Sequence, residues 1–265
     1  MNLVLRSSLL GVFLLTSSCS SPQKDVKQET STSNNQPTQT EQVKEVKSTK
    51  GVPIAVKVPD KPKATTTNSV KSTDSSNKQM HLVVVSDDLR FFQHETPTYK
   101  SGKFEVKPDF PAPGNYTVFS DYDKQLTIQK IKIPGDVPLP TELEKFSNTK
   151  TLSNTKITLL APSSSFKSGQ QVNLRFDLQD TKNKQPVKLQ PYPNPHTNEK
   201  ARLFIVRSSS PLKSADYVPA TLLQDSPDGQ VSFGSNFPQK GTYKLWLQFN
   251  RNGKVNTADF WLDVK

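Results

Sequence analysis

"GKFEVKPDFPAPGNYTVFSDY" (residues 102–122) lies without a gap on "GQVSFGSNFPQKGTYKLWLQF" (residues 229–249), at a constant offset of 127. Gly102 and Gly229, Phe110 and Phe237, Pro111 and Pro238, Gly114 and Gly241, and Tyr116 and Tyr243 are identical pairs. Val118 with Leu245 and Tyr122 with Phe249 keep the apolar phase. Upstream, "HLVVV" (81–85) matches "RLFIV" (202–206) at offset 121. Self-similarity of this kind indicates two copies of one structural unit. In each copy short apolar runs alternate with turn residues, and no run of useful length carries a 3.6-residue period. The shared Phe-Pro-x-x-Gly-x-Tyr reads as a strand, a turn at Pro and Gly, then a strand led by tyrosine. That tyrosine is placed to bridge the corner of a β-sandwich, so the motif is structural. The expected fold is all-β: two tandem immunoglobulin-like β-sandwich domains after a disordered N-terminal tether.

The second copy is expected to be complete, with strands at 156–161, 171–178, 201–207, 217–223, 230–236, 242–250 and 254–264. Seven strands in about 110 residues match an immunoglobulin-like sandwich. "NRNG" (250–253) marks a hairpin between the last two. Trp246 and Trp261 lie on those strands as packing residues. The first copy is shorter, with strands at 81–86, 90–94, 103–107, 115–121 and 126–133, and "PIAVKV" (53–58) offers an edge strand. The expected boundaries are a signal peptide at 1–18, a tether at 19–79, a first sandwich at 80–134, a linker at 135–149 and a second sandwich at 150–265.

Composition agrees with a partly unfolded chain. Of 265 residues 32% are hydrophobic, 21 are proline, and mean hydropathy is −0.64, too polar for one packed globule of this length. Residues 20–79 hold ten lysines, six acids and no aromatic residue. Such a segment buries too little apolar surface to offset its ordering entropy and reads as a flexible spacer. The net charge of +11 is uneven: residues 80–134 are neutral and 157–265 carry +6. The basic half reads as a solvated surface, or as one attracted to anionic envelope polymers or lipid headgroups. No basic-aromatic interleaving suggests nucleic acid.

Cys19 is the only cysteine, which excludes an intrachain disulfide. Ahead of it stand Arg6 and the apolar run Leu9 to Leu15, too short to span a bilayer. Thr16-Ser17-Ser18-Cys19 then resembles a bacterial lipoprotein signal, in which small residues precede a cysteine that is lipidated. The resemblance implies a mature chain tied to a bacterial membrane through Cys19 and located outside the cytoplasm, in the periplasm or on the cell surface.

"HLVVVSDDLRFFQH" (81–94) reads as a hairpin. With Asp87-Asp88 at the turn centre, paired residues sum to 175 and His81 faces His94. Directly opposed side chains lie about 4.5–5.5 Å apart at Cβ. Two imidazoles so placed could share one metal ion, with Met80 and Glu95 next door. Such ligands suit copper or zinc. A one-residue slip would put the two rings on opposite faces.

"MHLVVVSDDLRFFQHETP" with "GKFEVKPDFPAPGNYTVFSDY", and the terminal "YKLWLQFNRNGKVNTADFWLDV", resemble secreted bacterial proteins of the YtkA-like type, small immunoglobulin-like domains. The resemblance covers roughly residues 80–265. That family has Met-His at the first strand and His-x-His-Pro at the second. Met80, His81, His94 and Pro97 occupy those places, and Thr96 stands where a second histidine is expected. Copy two keeps "LQPY" (189–192) but has Arg202 for the first histidine and Asp216 near the second. The resemblance implies a metal-associated ancestor, with no metal expected in copy two by this route. Three readings of the pair stand: a degenerate non-binding site, a copper or zinc site on His81 and His94, or catalysis by His94. His196 in "PYPNPH" reads as an exposed loop residue.

No nucleophile elbow, HExxH or P-loop occurs. Ser-x-x-Lys at 147–150, 153–156, 164–167 and 210–213 falls in turns rather than on a helical face. Asp87-Asp88 reads as a turn. The expected function is a non-catalytic envelope lipoprotein acting as a binding or scaffold module. It requires no cofactor, and its partners are the membrane, anionic envelope polymers or another envelope protein. The alternative is a copper- or zinc-binding protein that buffers or passes on metal.

Overall fold

The two Phe-Pro-x-x-Gly-x-Tyr motifs fold alike in the computed structural model, which describes residues 43–45, 54–57, 80–97, 99–100, 103–122, 125–137, 146–160, 166–193, 198–224 and 226–265. Tyr116 Oη donates to the Ala112 carbonyl at 2.7 Å, and Tyr243 Oη to the Gln239 carbonyl at 2.6 Å. Phe110 lies 4.6 Å from the Tyr116 ring, and Phe237 lies 4.7 Å from Tyr243. Gly114 and Gly241 take φ of +148° and +137°, which side chains other than glycine rarely adopt. The prolines of the motif have a narrower part than its rings. Pro238 is exposed and lies outside the strands, as does Pro111, so neither is a packing residue. They stand in the turn between one strand and the next, where proline's missing N–H breaks no ladder. Each motif thus pins a sandwich corner through a tyrosine hydrogen bond, with phenylalanine and tyrosine carrying the packing.

The first domain contains β1 (Val43–Glu45), β2 (Ile54–Lys57), β3 (His81–Ser86), β4 (Phe92–Glu95), β5 (Tyr99–Lys100), β6 (Lys103–Val106), β7 (Gly114–Tyr122) and β8 (Gln125–Ile133). Its inner sheet runs β1-β8-β7-β3-β4 and its outer sheet β2-β6-β5. The second domain contains β9 (Thr149–Leu152), β10 (Thr155–Leu160), β11 (Gln171–Asp180), β12 (Ala201–Arg207), β13 (Tyr217–Val218), β14 (Ala220–Leu222), β15 (Gln230–Asn236), β16 (Gly241–Arg251) and β17 (Lys254–Val264). Its inner sheet runs β13-β12-β16-β17 and its outer sheet β14-β15-β11-β10-β9. Both are all-β sandwiches of immunoglobulin-like topology.

The inner sheets are apolar on both faces. Along β3, Leu82 and Val84 enter the first domain's own core with Ile54, Phe104, Val118 and Ile131. Val83 and Val85 point the other way, into a cluster with Phe119, Phe204, Val206, Leu212 and Trp246. Strand β12 mirrors this: Leu203 and Ile205 enter the second domain's core, while Phe204 and Val206 join the shared cluster. Burial on two faces requires an unbroken apolar run, and "LVVV" and "LFIV" supply it. The sheets therefore stack outer, inner, inner, outer, all within one compact unit, Thr40–Lys265.

Four expectations change. The edge strand expected at 53–58 forms as β2, which pairs with β6 and buries Ile54 completely, but the first domain also gains β1, paired in parallel with β8, inside the segment assigned to the tether. The strand expected at 217–223 is two short strands in different sheets. Pro219 lies between them and has no N–H to continue a ladder. Strand β9 is an additional strand at the start of the second domain, ahead of the one expected at 156–161. The hairpin pairs Val85 with Phe92 and Val83 with His94, so paired residues sum to 177 rather than 175. Leu89, at φ +58°, lengthens the turn, and Asp88 caps it by accepting from the Arg90 N–H. The turn "NRNG" closes on Asn252 and Gly253, both at positive φ, between Arg251 and Lys254. Cys19, His196 and the signal segment lie outside the described residues.

Candidate functional site

The two-residue shift in register leaves side-chain parity intact, so His81 and His94 share a face of the inner sheet, diagonally rather than directly opposed. That face is the one covered by the second domain. His81 Nδ1 lies 2.9 Å from His94 Nε2, and the rings are stacked with centroids 5.1 Å apart. His94 Nδ1 lies 2.9 Å from Gln248 Oε1, on β16 of the other sandwich, and its ring packs 4.5 Å from Phe204. Gln248 Nε2 in turn donates to Thr257 Oγ1 at 3.2 Å. A carboxamide oxygen only accepts, so with this assignment His94 carries its proton on Nδ1. His94 Nε2 then accepts from His81 Nδ1–H. The chain of donors runs one way, from His81 through His94 and Gln248 to Thr257, and leaves His81 Nε2 as a bare lone pair.

Both imidazoles are held neutral. Burial lowers His81 to about 4, with help from the nearby Arg202 guanidinium. Burial lowers His94 to about 3, with His81 and Arg202 acting in the same direction. The donor chain requires a neutral His94, which must accept at Nε2 while it donates from Nδ1; burial keeps His81 neutral as well.

Met80 and Glu95 do not join the imidazoles. Met80 is buried in the first domain's own core, and Glu95 opposes Leu82 on that same core face, where it accepts from Gln93 Nε2 at 2.7 Å. Among the described residues no group of three His, Cys, Asp or Glu side chains is placed to hold a metal ion. Thr96 is exposed. In copy two Tyr217 opposes Val206 as Phe92 opposes Val85, so Pro219 takes the place of His94. Asp216 is held elsewhere, by Arg207 Nε at 2.8 Å and the Lys213 N–H at 2.7 Å.

The interface itself is pseudo-twofold, a feature that sequence reading missed. Phe92 stacks on Trp246 at 4.8 Å, and its counterpart Tyr217 packs on Phe119, the counterpart of Trp246, at 5.3 Å. Lys130 Nζ crosses from β8 to donate to the Leu212 carbonyl and to Thr117 Oγ1. Lys244, 1% exposed, pairs with Asp259 at 2.6 Å and lies over the Trp261 ring. The signal was present in the two matching apolar runs, which are too long for one buried face.

At the edge of the seam is a cavity of about 130 Å³ lined by His81 and Asp121 of the first domain and Glu199, Arg202, Phe204 and Tyr217 of the second, among others. Arg202 Nε donates to Glu199 Oε2 at 2.8 Å, and its guanidinium lies 4.4 Å from the Tyr192 ring centroid.

Residues 150–265 match the family described as Domain of unknown function (DUF8832). No curated protein sequence matches the chain. Among solved structures the chain is similar to the Lin-41 filamin domain, at 16% identity over 42% of this chain and 92% of that one, with a TM-score of 0.26. It is also similar to domains 4 and 5 of the S-layer protein SbsC, at 9% identity over 71% and 70%, TM-score 0.26. A third is invasin, a bacterial integrin-binding protein, at 10% identity over 69% and 32%, TM-score 0.24. At TM-scores this low the fold rests on the strand pairings of the chain itself.

Proposed function

We propose that this chain is a non-catalytic, lipid-anchored envelope protein that works as a binding or scaffold module, its two sandwiches joined into one rigid body. The observation that carries this reading is the use of the histidine pair. Both nitrogens of His94 and one of His81 are spent on a hydrogen-bond chain that crosses the domain interface. His94, with both nitrogens consumed, offers neither a base nor an open ligand position. The sequence motif at Cys19 supports lipid anchoring in the periplasm or at the cell surface. The +6 charge of residues 157–265 supports anionic envelope polymers, or another envelope protein, as partners.

A second reading, copper or zinc held by His81 and His94 for buffering or transfer, rests on the 2.9 Å between their nitrogens. His81 Nδ1 and His94 Nε2 would be the two ligands, provided that the proton between them moved to His81 Nε2. Titration of the full chain with Cu(I), Cu(II) and Zn(II), alongside a His81→Ala/His94→Ala variant, separates the two. The module reading expects no binding above the variant. One ion per chain, lost in the variant, overturns it in favour of the metal reading.

A further inference from the structure

The donor chain that crosses the interface has a consequence for the seam cavity. All its protons point inward, so His81 Nε2, the only ring nitrogen His81 has left, is an acceptor. Asp121 opposes His81 across β3 and β7 and lines the same cavity. Its carboxylate makes no hydrogen bond or ion pair among the described residues, and burial alone raises its pKa. Tyr217, beside it, is also without a hydrogen-bond partner there and feels the Asp121 charge. Arg202 is the one cation lining the cavity among the described residues, and it is already matched by Glu199. With His81 neutral, the lining carries two carboxylates against one guanidinium. The unmet demand is for a positively charged hydrogen-bond donor, and the rings of Phe204 and Tyr217 supply walls that favour a cation. Two acceptors beside aromatic walls suit an organic cation that carries N–H donors.

We propose that the seam cavity binds a primary ammonium group, accepted by the Asp121 carboxylate and His81 Nε2 between the rings of Phe204 and Tyr217. The site takes residues from both sandwiches and so exists only when they are docked. It deepens the binding-module reading and rests on it.

The test is an NMR titration of the full chain with ethylammonium chloride, with EDTA present throughout. Saturable one-site shifts at His81, Asp121 and Tyr217 are expected, with at least a tenfold loss of affinity in Asp121→Asn. Arg202→Gln removes the competing cation and releases Glu199, so it is expected to tighten binding, a gain that misfolding cannot produce. Tetramethylammonium, a cation without N–H donors, is expected to bind more weakly than ethylammonium. Nα-acetyl-lysinamide distinguishes the source: tighter binding than ethylammonium identifies a lysine side chain of a protein partner, and weaker binding a free small amine. No saturable shift, equal affinity in Asp121→Asn, no gain in Arg202→Gln, or equal binding of tetramethylammonium would each overturn the proposal. The ring contact between Phe92 and Trp246, read in the same spectra, reports domain packing separately, so loss of the amine site and loss of the rigid module are told apart.

Discussion

His94 shows what burial does to an ordinary histidine. An open imidazole titrates near 6.5, whereas His94 is held near 3 and His81 near 4, chiefly by desolvation. The unfolded chain therefore binds more protons than the folded one as pH falls below 6.5. Stability from the neutral pair is complete above pH 6.5 and is lost as pH falls toward 4 and then 3. Urea midpoints measured from pH 7.5 to pH 4 should drop with acid, and His81→Asn/His94→Asn should flatten the fall. An unchanged slope in that variant would exclude the pair as its cause. The corner tyrosines give a second prediction at this scale. Tyr116→Phe and Tyr243→Phe each strand a carbonyl acceptor, and each should cost about 1 kcal/mol in urea unfolding. These tyrosines were legible because they recur in register at offset 127. The partner of His94 was not, since Gln248 lies 154 positions away and nothing local marks it.

Among elements, the strands that alternate cleanly were readable and the irregular ones were not. Strands β7, β12, β15, β16 and β17 fall close to where apolar periodicity and turn residues place them. The hairpin register moved by two because Leu89, a residue with no sequence signal for left-handed backbone, adds to the turn. β1 is three residues in a polar stretch, and its pairing with β8 is a long-range event. The break at Pro219 was written in the sequence, since a missing N–H confines proline to the edges of sheets. The inner-sheet strands carry the prediction of this scale. Trp246→Ala removes the ring on which Phe92 stacks and leaves a void between two sheets. It should cost about 3–5 kcal/mol. If the interface couples the domains, the variant should unfold in two resolved steps in calorimetry where the parent shows one. A single step with an unshifted midpoint would deny Trp246 that role.

At the scale of the whole molecule, the repeat fixed the number of domains but not their relation. Tandem sandwiches on a linker are the natural reading of the sequence, because the repeated motif gives each copy its own apolar strands and corner. The shared cluster arises from a second apolar phase on the same strands: Val83 and Val85 facing Phe204, Val206 and Trp246. Alternation identifies one buried face well, and a continuous run leaves open what covers the other. That second phase converts a string of domains into a single body and gives the histidines their setting. It also bears on the envelope reading, in which a rigid module is carried on a lipid at Cys19. Mass spectrometry of the native N-terminus should find Cys19 acylated, and an unmodified cysteine would remove the anchor. The face-to-face docking of the two inner sheets is tested most directly by residual dipolar couplings from backbone amides of both sandwiches in one aligned sample. The interface described here predicts that one alignment tensor fits both domains in the arrangement that puts His94 against Gln248; two tensors of different magnitude, the mark of domains moving independently, would contradict it.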